Sequence, residues 1–251
     1  MKKIQYHIAG LMLICAAVPC LAQDDPNDLS DKRRLTFGIR LEAYPLKMFK
    51  TSVQTSSTTK PIADYTYTGT TDSPKVGLGP ILEFRITNHI SAGVELLYHN
   101  IQYVEKVEIR NGKKDPNASN DDRLVTTLTQ TTRASTYEIP FVARYYGFRE
   151  RGILSHLYAV GGGAFRRTGH IRTGNEISNA DSTTDYNEKA AAATKANQMG
   201  GVVGFGMRFI DNIGIRIAPE IRYTHWQGYN FSGTSYKAVQ HDIQGGIGIS
   251  F

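Results

Sequence analysis

The chain has 251 residues, the length of one domain, with 21% charged residues and a formal net charge of +6. Both cysteines, Cys15 and Cys20, fall in the first 22 residues, so disulfide and thiol chemistry are excluded from the rest. The mean hydropathy of −0.34 suits a soluble globule, but strands that are apolar only at alternate positions escape such an average, and no run of about 18 apolar residues follows residue 22 to make a spanning helix.

The N-terminus reads MKKIQYHIAGLMLICAAVPCLAQDD. Lys2 and Lys3 form a basic start, Ile8 to Val18 a short apolar stretch, and Cys20-Leu21-Ala22 a cleavage site before Gln23. This is the pattern of a secretory signal peptide over residues 1–22, with an N-terminal membrane anchor as the alternative. Pro19 before Cys20 and Ile14 before Cys15 argue against lipid attachment at either cysteine. Cleavage removes Lys2 and Lys3 and leaves +4. For an exported chain, that mild excess suits anionic lipid headgroups and lipopolysaccharide better than nucleic acid. Residues 23–33 read as a periplasmic N-terminal segment, and 34–251 as the folded domain.

Eight segments then alternate with period two, the strand period. Leu35 to Pro45 sets Leu35, Phe37, Ile39 and Leu41 against Thr36, Arg40, Glu42 and Tyr44. Val76 to Thr87 sets Leu78, Leu82 and Phe84 against Glu83 and Arg85. From Ile90, Ala92, Val94, Leu96 and Tyr98 oppose Ser91, Glu95, Leu97 and His99. The fourth ends near Tyr146, with Tyr137, Ile139, Phe141 and Tyr145 opposite Glu138, Val142 and Arg144. Ile153 to Arg167 carries Leu157, Ala159 and Phe165 against His156, Tyr158 and Arg166. Met199 to Ile210 carries Met199, Val203, Phe205, Met207 and Phe209 against Val202 and Arg208. Ile213 to Thr224 carries Ile213, Ile215, Ile217, Ile221 and Tyr223 against Arg216, Glu220 and Arg222. The last carries Val239, Ile243, Ile247, Ile249 and Phe251 against Asp242 and Gln244.

Short turns (Thr87-Asn88-His89, Gly147 to Gly152, Asp211-Asn212) alternate with long polar links at about 46–75, 105–130, 168–196 and 225–237. Ile101 to Arg110 and Leu124 to Arg133 continue to alternate, joined either by a two-residue hairpin turn at Asn111-Gly112 or by a flexible loop running to Asp122. Glu188 to Gln198 (EKAAAATKANQ) favours helix by composition and is expected as a loop element. Even strand number, short turns on one side and long loops on the other predict an all-β fold. It is an eight-stranded antiparallel up-and-down transmembrane β-barrel, with short periplasmic turns and four long extracellular loops.

In such a barrel the polar face points into the lumen. Arg40, Glu42, Glu83, Arg85, Glu95, Glu138, Arg144, Arg166, Arg208, Arg216, Glu220, Arg222 and Asp242 all lie on polar faces and are expected to fill it as a paired network. Phe84, Tyr145, Phe209 and Phe251 fall at the periplasmic end. Tyr98, Tyr137, Phe165 and Tyr223 fall at the outer end, with Trp226 beside them, and together these predict two aromatic girdles.

YEIPFVARYYGF (Tyr137 to Phe148), YAVGGGAF (Tyr158 to Phe165), PEIRYTHW (Pro219 to Trp226) and the terminal GIGISF resemble the small outer-membrane β-barrel domain family of Gram-negative bacteria, barrels like the transmembrane domain of outer-membrane protein A. The resemblance covers most of the chain after residue 22, and its motifs report fold more than activity. It implies that Ile243, Ile247, Ile249 and Phe251 are read by the barrel-assembly machinery during insertion.

Some barrels of this size modify lipid A. The deacylase type is similar in carrying His-x-Ser on a strand, but here two residues after His225 stands Gln227, so the nucleophile is missing. His170 with Ser178, or His225 with Ser232, could be forced into an acyltransferase role, without a motif around either. The seven His show no short ligand spacing, and Asp121-Asp122 and Asp181 to Asp185 read as solvated loop acids. No catalytic, cofactor or metal site is expected. The expected role is non-enzymatic, in envelope structure or in contact with an unidentified surface ligand through the loops, by a monomer with a charge-plugged lumen. The alternatives are a lipid A-modifying acyl hydrolase or acyltransferase, and a narrow channel for small apolar solutes.

Overall fold

The computed structural model describes residues 34–59, 62–71, 73–112, 123–147, 153–179, 182–211 and 213–251. The expected signal peptide, the 23–33 segment and Asp121-Asp122 lie outside the described residues, as do most of the Gly147–Gly152 turn and Asn212. In chain order the strands are β1 (Leu35–Ala43), β2 (Phe49–Thr51), β3 (Val53–Thr59), β4 (Ile62–Thr71), β5 (Val76–Arg85), β6 (Ile90–Glu95), β7 (Leu97–Asn111) and β8 (Val125–Tyr146). They continue as β9 (Leu157–Ser178), β10 (Thr183–Ala190), β11 (Asn197–Met207), β12 (Phe209–Ile210), β13 (Arg216–Trp226), β14 (Tyr236–Ala238) and β15 (His241–Ser250).

Eight staves close a ring, and they are the eight alternating segments. Going round, β1 pairs with β5, β5 with β6 and β7, these two with β8, β8 with β9, β9 with β11, β11 with β13, and β13 with β15. β15 returns to β1, from Gly38 opposite Ser250 to Ala43 opposite Gly245, so the ring leaves no edge. Every pairing is antiparallel. Phe251 N–H donates to the Phe37 carbonyl at 2.9 Å, which extends the seam to the last residue.

The short turns carry their own chemistry. Thr87 Oγ1 accepts from the backbone N–H of His89 and Ile90 at 3.2 and 3.0 Å. Asp211 Oδ1 accepts from Ile213 and Ile215 at 3.0 and 2.8 Å, with Gly214 at φ 85°.

The staves differ in length. β1, β5, β13 and β15 have 9, 10, 11 and 10 residues, the length of a tilted strand crossing a bilayer. β8 and β9 have 22 each, so about half of each rises past the loop end of the short staves. The alternation of β7 and β8 inverts on the way up. Within the ring the apolar side chains point out: Phe37, Leu78, Phe141, Val203, Phe205 and Ile221 are each at least half exposed, a belt far too continuous for a face meeting water. Above it Ile101, Tyr103 and Ala134 are buried on the inner side, and Asn100 and Arg133 face outward. The reversal comes at the cross-strand pair Tyr98–Tyr137, whose rings lie 5.3 Å apart and whose Tyr98 hydroxyl donates to Asn100 Oδ1 at 2.8 Å.

Four expectations need correction. The fifth stave begins at Leu157, because Ile153–His156 form a 3-10 turn. The Asn111-Gly112 hairpin does not form: Arg110 pairs with Val125, so the connection spans the residues between them. The helix-favouring EKAAAATKANQ is a loop, as expected, only over residues 191–196: its first three residues end β10, which pairs with β9, and its last two begin β11. Phe209 is 8% exposed and stacks on His156 at 5.3 Å, outside any girdle, because the strand breaks at Arg208 and shifts the face.

Candidate functional site

Three layers fill the tube. In the first, Arg40, Arg144 and Arg222 interleave with Glu42, Glu83, Glu95 and Glu220. Arg40 reaches Glu42 at 2.7 Å and Glu220 at 3.2 Å. Arg144 reaches Glu95 at 2.6 Å, Glu83 at 3.0 Å and Glu220 at 3.3 Å. Arg222 holds Glu95 and Glu220. Tyrosines add a hydrogen bond to three of these carboxylates: Tyr158 donates to Glu220 at 2.8 Å, Tyr146 to Glu83 at 3.0 Å and Tyr44 to Glu42 at 3.3 Å. Each buried charge is therefore shared among partners on several staves, the condition under which such burial is tolerable.

The second layer lies nearer the loops. Arg166 holds Glu138 at 2.6 Å and Asp242 at 2.8 Å, and its guanidinium carbon sits 3.9 Å over the Trp226 ring. His99 Nε2 meets Glu138 Oε1 at 3.1 Å and its ring stacks on Tyr44 at 4.7 Å, while Gln244 donates to Glu138 Oε2 at 3.2 Å.

The third layer is apolar and comes from two loops. Phe49 from β2 and Phe231 and Ala238 from around β14 pack on Ile101, Tyr103 and Ala134. β2 and β14 pair with each other as a two-stranded sheet across the mouth. Ser235 pins it, donating to Glu105 Oε1 through its hydroxyl at 2.8 Å. Burial and the hydrogen bond to Tyr103 at 3.0 Å push the Tyr236 phenol up. Between this lid and Arg166 remains a cavity of about 20 Å³, bordered by His99, Thr136 and Asp242. That is room for about one water.

Beyond the lid the long staves form an open antiparallel sheet in the order β3-β4-β7-β8-β9-β10. Its two ends, β3 (VQTSSTT) and β10 (TTDYNEKA), each pair on one side only among the described residues. All seven residues of β3 are exposed. Lys106 donates to Glu108 at 2.8 Å and holds that carboxyl below the usual range.

Of the expected lumen residues, Arg40, Glu42, Glu83, Glu95, Glu138, Arg144, Glu220, Arg222 and Asp242 join these two charged layers, as does Arg166. Three lie at the turn-end rim instead. Arg85 donates to Asn88, Arg208 stacks 4.0 Å over the Tyr146 ring, and Arg216 donates to Thr36 Oγ1 at 3.2 Å. Phe84, Tyr98, Tyr137, Tyr145, Tyr223 and Phe251 are exposed on the outer wall, and Phe165 is half-buried there. Trp226, expected in the outer girdle, is fully buried, because β13 turns alternate residues inward and Trp226 shares parity with Arg222. Ile243 and Ile249 point outward, and Ile247 is half-buried.

The His–Ser pairs separate. His170 sits at φ 49° in a β-bulge where the β8–β9 register shifts, and Ser178 Oγ lies 3.2 Å from Thr183 Oγ1. His225 Nδ1 meets His241 Nδ1 at 3.3 Å, whereas Ser232 sits in a backbone bridge to Lys237. The lid was missed by sequence reasoning. Its signal was two phenylalanines, Phe49 and Phe231, one in each of two mostly polar links.

No curated relative matches the chain. The profile of the family described as outer membrane protein beta-barrel domain matches residues 22–225, most of the chain and seven of the eight staves. With the closed ring and its apolar belt, that match makes this chain a member of the outer membrane protein beta-barrel domain family, with its place in the outer membrane.

Proposed function

We propose that the protein is a non-conducting, non-enzymatic anchor that presents its outer sheet to a polypeptide partner at the cell surface. In this reading residues 1–22 direct export, residues 23–33 and the short turns face the periplasm, and the loop end faces out. Lipid and lipopolysaccharide surround a monomeric barrel. The observation that carries the reading is the six-stranded open sheet, whose end strands β3 and β10 each pair in a ladder on one side only among the described residues. A free edge exposes unpaired backbone N–H and C=O groups, to which an extended segment of a partner can add as another strand. Polar side chains on both edges keep the sheet from pairing indiscriminately.

Photo-reactive residues at Gln54 on β3 and Thr184 on β10, with a control at the lipid-facing Leu78, test it on living cells. Polypeptide adducts at either edge and none at Leu78 are expected; no adduct at either edge would overturn the reading. A non-enzymatic barrel also leaves lipid A masses unchanged when expressed in a Gram-negative host. A lost or gained acyl chain would reverse that part of the proposal.

A further inference from the structure

We propose that Tyr223, His225 and His241 form a site for a borderline divalent transition-metal ion, Zn²⁺ or Cu²⁺, on the outside of the barrel at its loop end. His225 on β13 stands directly opposite His241 on β15 in the pairing register, and Tyr223 lies two residues along on the same face. All three side chains are exposed. The two Nδ1 atoms are 3.3 Å apart, and the Tyr223 hydroxyl oxygen is 2.5 Å from His241 Nδ1. Three donor atoms thus converge from two strands held by the ladder.

The nitrogen–nitrogen spacing suits a metal, and the Tyr223 oxygen, now at hydrogen-bond distance from His241, has to swing less than about 1 Å outward to join it. Zn–N bonds of about 2.0–2.1 Å at a tetrahedral angle put two ligand nitrogens about 3.3–3.4 Å apart. Imidazole nitrogens select Zn²⁺, Cu²⁺ or Ni²⁺ over the oxygen-seeking Mg²⁺ and Ca²⁺. On the other side of His225 the paired residue is Gly201, where a side chain would meet nothing within 4 Å. Water or an anionic group can therefore complete the coordination, so the site is open rather than closed.

Without metal, one imidazole donates its Nδ1 hydrogen to the other. On binding, the donating ring loses its Nδ1 proton to solvent and takes one up on Nε2, so that both rings offer an Nδ1 lone pair, and Tyr223 releases its proton to solvent as its oxygen becomes the third donor.

The test uses the untagged full-length protein folded in detergent. Zn²⁺ titrated in a calorimeter should bind one ion per chain, and Cu²⁺ should give an electron paramagnetic resonance spectrum with two nitrogen couplings. His225→Gln and His241→Gln should each lose saturable Zn²⁺ binding, and any Cu²⁺ still held should show one nitrogen coupling instead of two. Tyr223→Phe should keep both nitrogens and lose the visible tyrosinate-to-copper absorption. All three side chains point away from the lumen, so the variants should keep the gel shift between unheated and heated samples. A wild type without saturable binding, or histidine variants that bind as wild type does, would overturn the site. A histidine variant that loses the gel shift is replaced by the Ala variant at the same position, judged by the same two outcomes.

Discussion

Arg222 on β13 grips Glu95 on β6 through both terminal guanidinium nitrogens, at 2.7 and 2.6 Å. These staves stand four apart in a ring of eight, so the pair spans the full lumen. The same two residues also bind Arg144, Arg40 and Glu220, the contacts on which the proposal of a non-conducting lumen rests.

Such a network is stable only when whole. Glu220→Leu or Arg144→Leu strands a buried opposite charge and should cost about 3–5 kcal/mol. Reversible urea unfolding of the barrel in detergent checks this. A neutral result would mean the charges are wet.

Trp226 is the single tryptophan, and it faces Arg166 across 3.9 Å. Its fluorescence should therefore resist quenching by brominated lipid chains. Strong quenching would return Trp226 to the lipid face. Trp226→Leu should lower stability by about 0.5–2 kcal/mol from the lost cation–π contact alone.

The lid should loosen independently of the barrel. Phe49→Ala removes a ring packed on Tyr103 and Phe231 at 5.2 and 6.2 Å. Truncating such a buried ring costs about 3–5 kcal/mol of local packing. Limited proteolysis should then cut near residues 45–52 and 228–238 while the heated and unheated gel mobilities stay distinct. Unchanged proteolysis would mean that the two loops stay closed without the ring.

Gly79 is a sharper test of register. An added Cβ there would lie 1.7 Å from the Leu96 carbonyl oxygen, a backbone atom that cannot give way cheaply. Gly79→Ala should reduce the folded fraction on the gel. The control, Gly201→Ala, has open space and should not.

The staves were legible because the belt obeys one rule, apolar at every second residue, and a one-residue slip would put Arg40 or Glu220 into lipid. The charged residues at stave centres could be assigned to the lumen from parity alone. Parity did not tell rim from centre, so Arg85, Arg208 and Arg216 read the same as Arg40. It also failed where a strand breaks, as at Arg208, and above the belt, where solvent reverses the rule and aromatics turn inward. Trp226 was misassigned by its residue type against the parity of its own strand. His225 and His241 are distant in sequence and meet through the β13–β15 register, so no ligand spacing along the chain could reveal them. The lid depends on loops from opposite ends of the chain, Phe49 with Phe231, which no local pattern connects.

The central claim is a closed barrel whose lumen is filled by side chains, and planar-bilayer recording of the folded protein tests it most directly. The wild type should show no steady conductance, and Phe49→Ala should stay silent because both charged layers remain beneath the lid. Steady ohmic steps from the wild type would contradict the filled lumen.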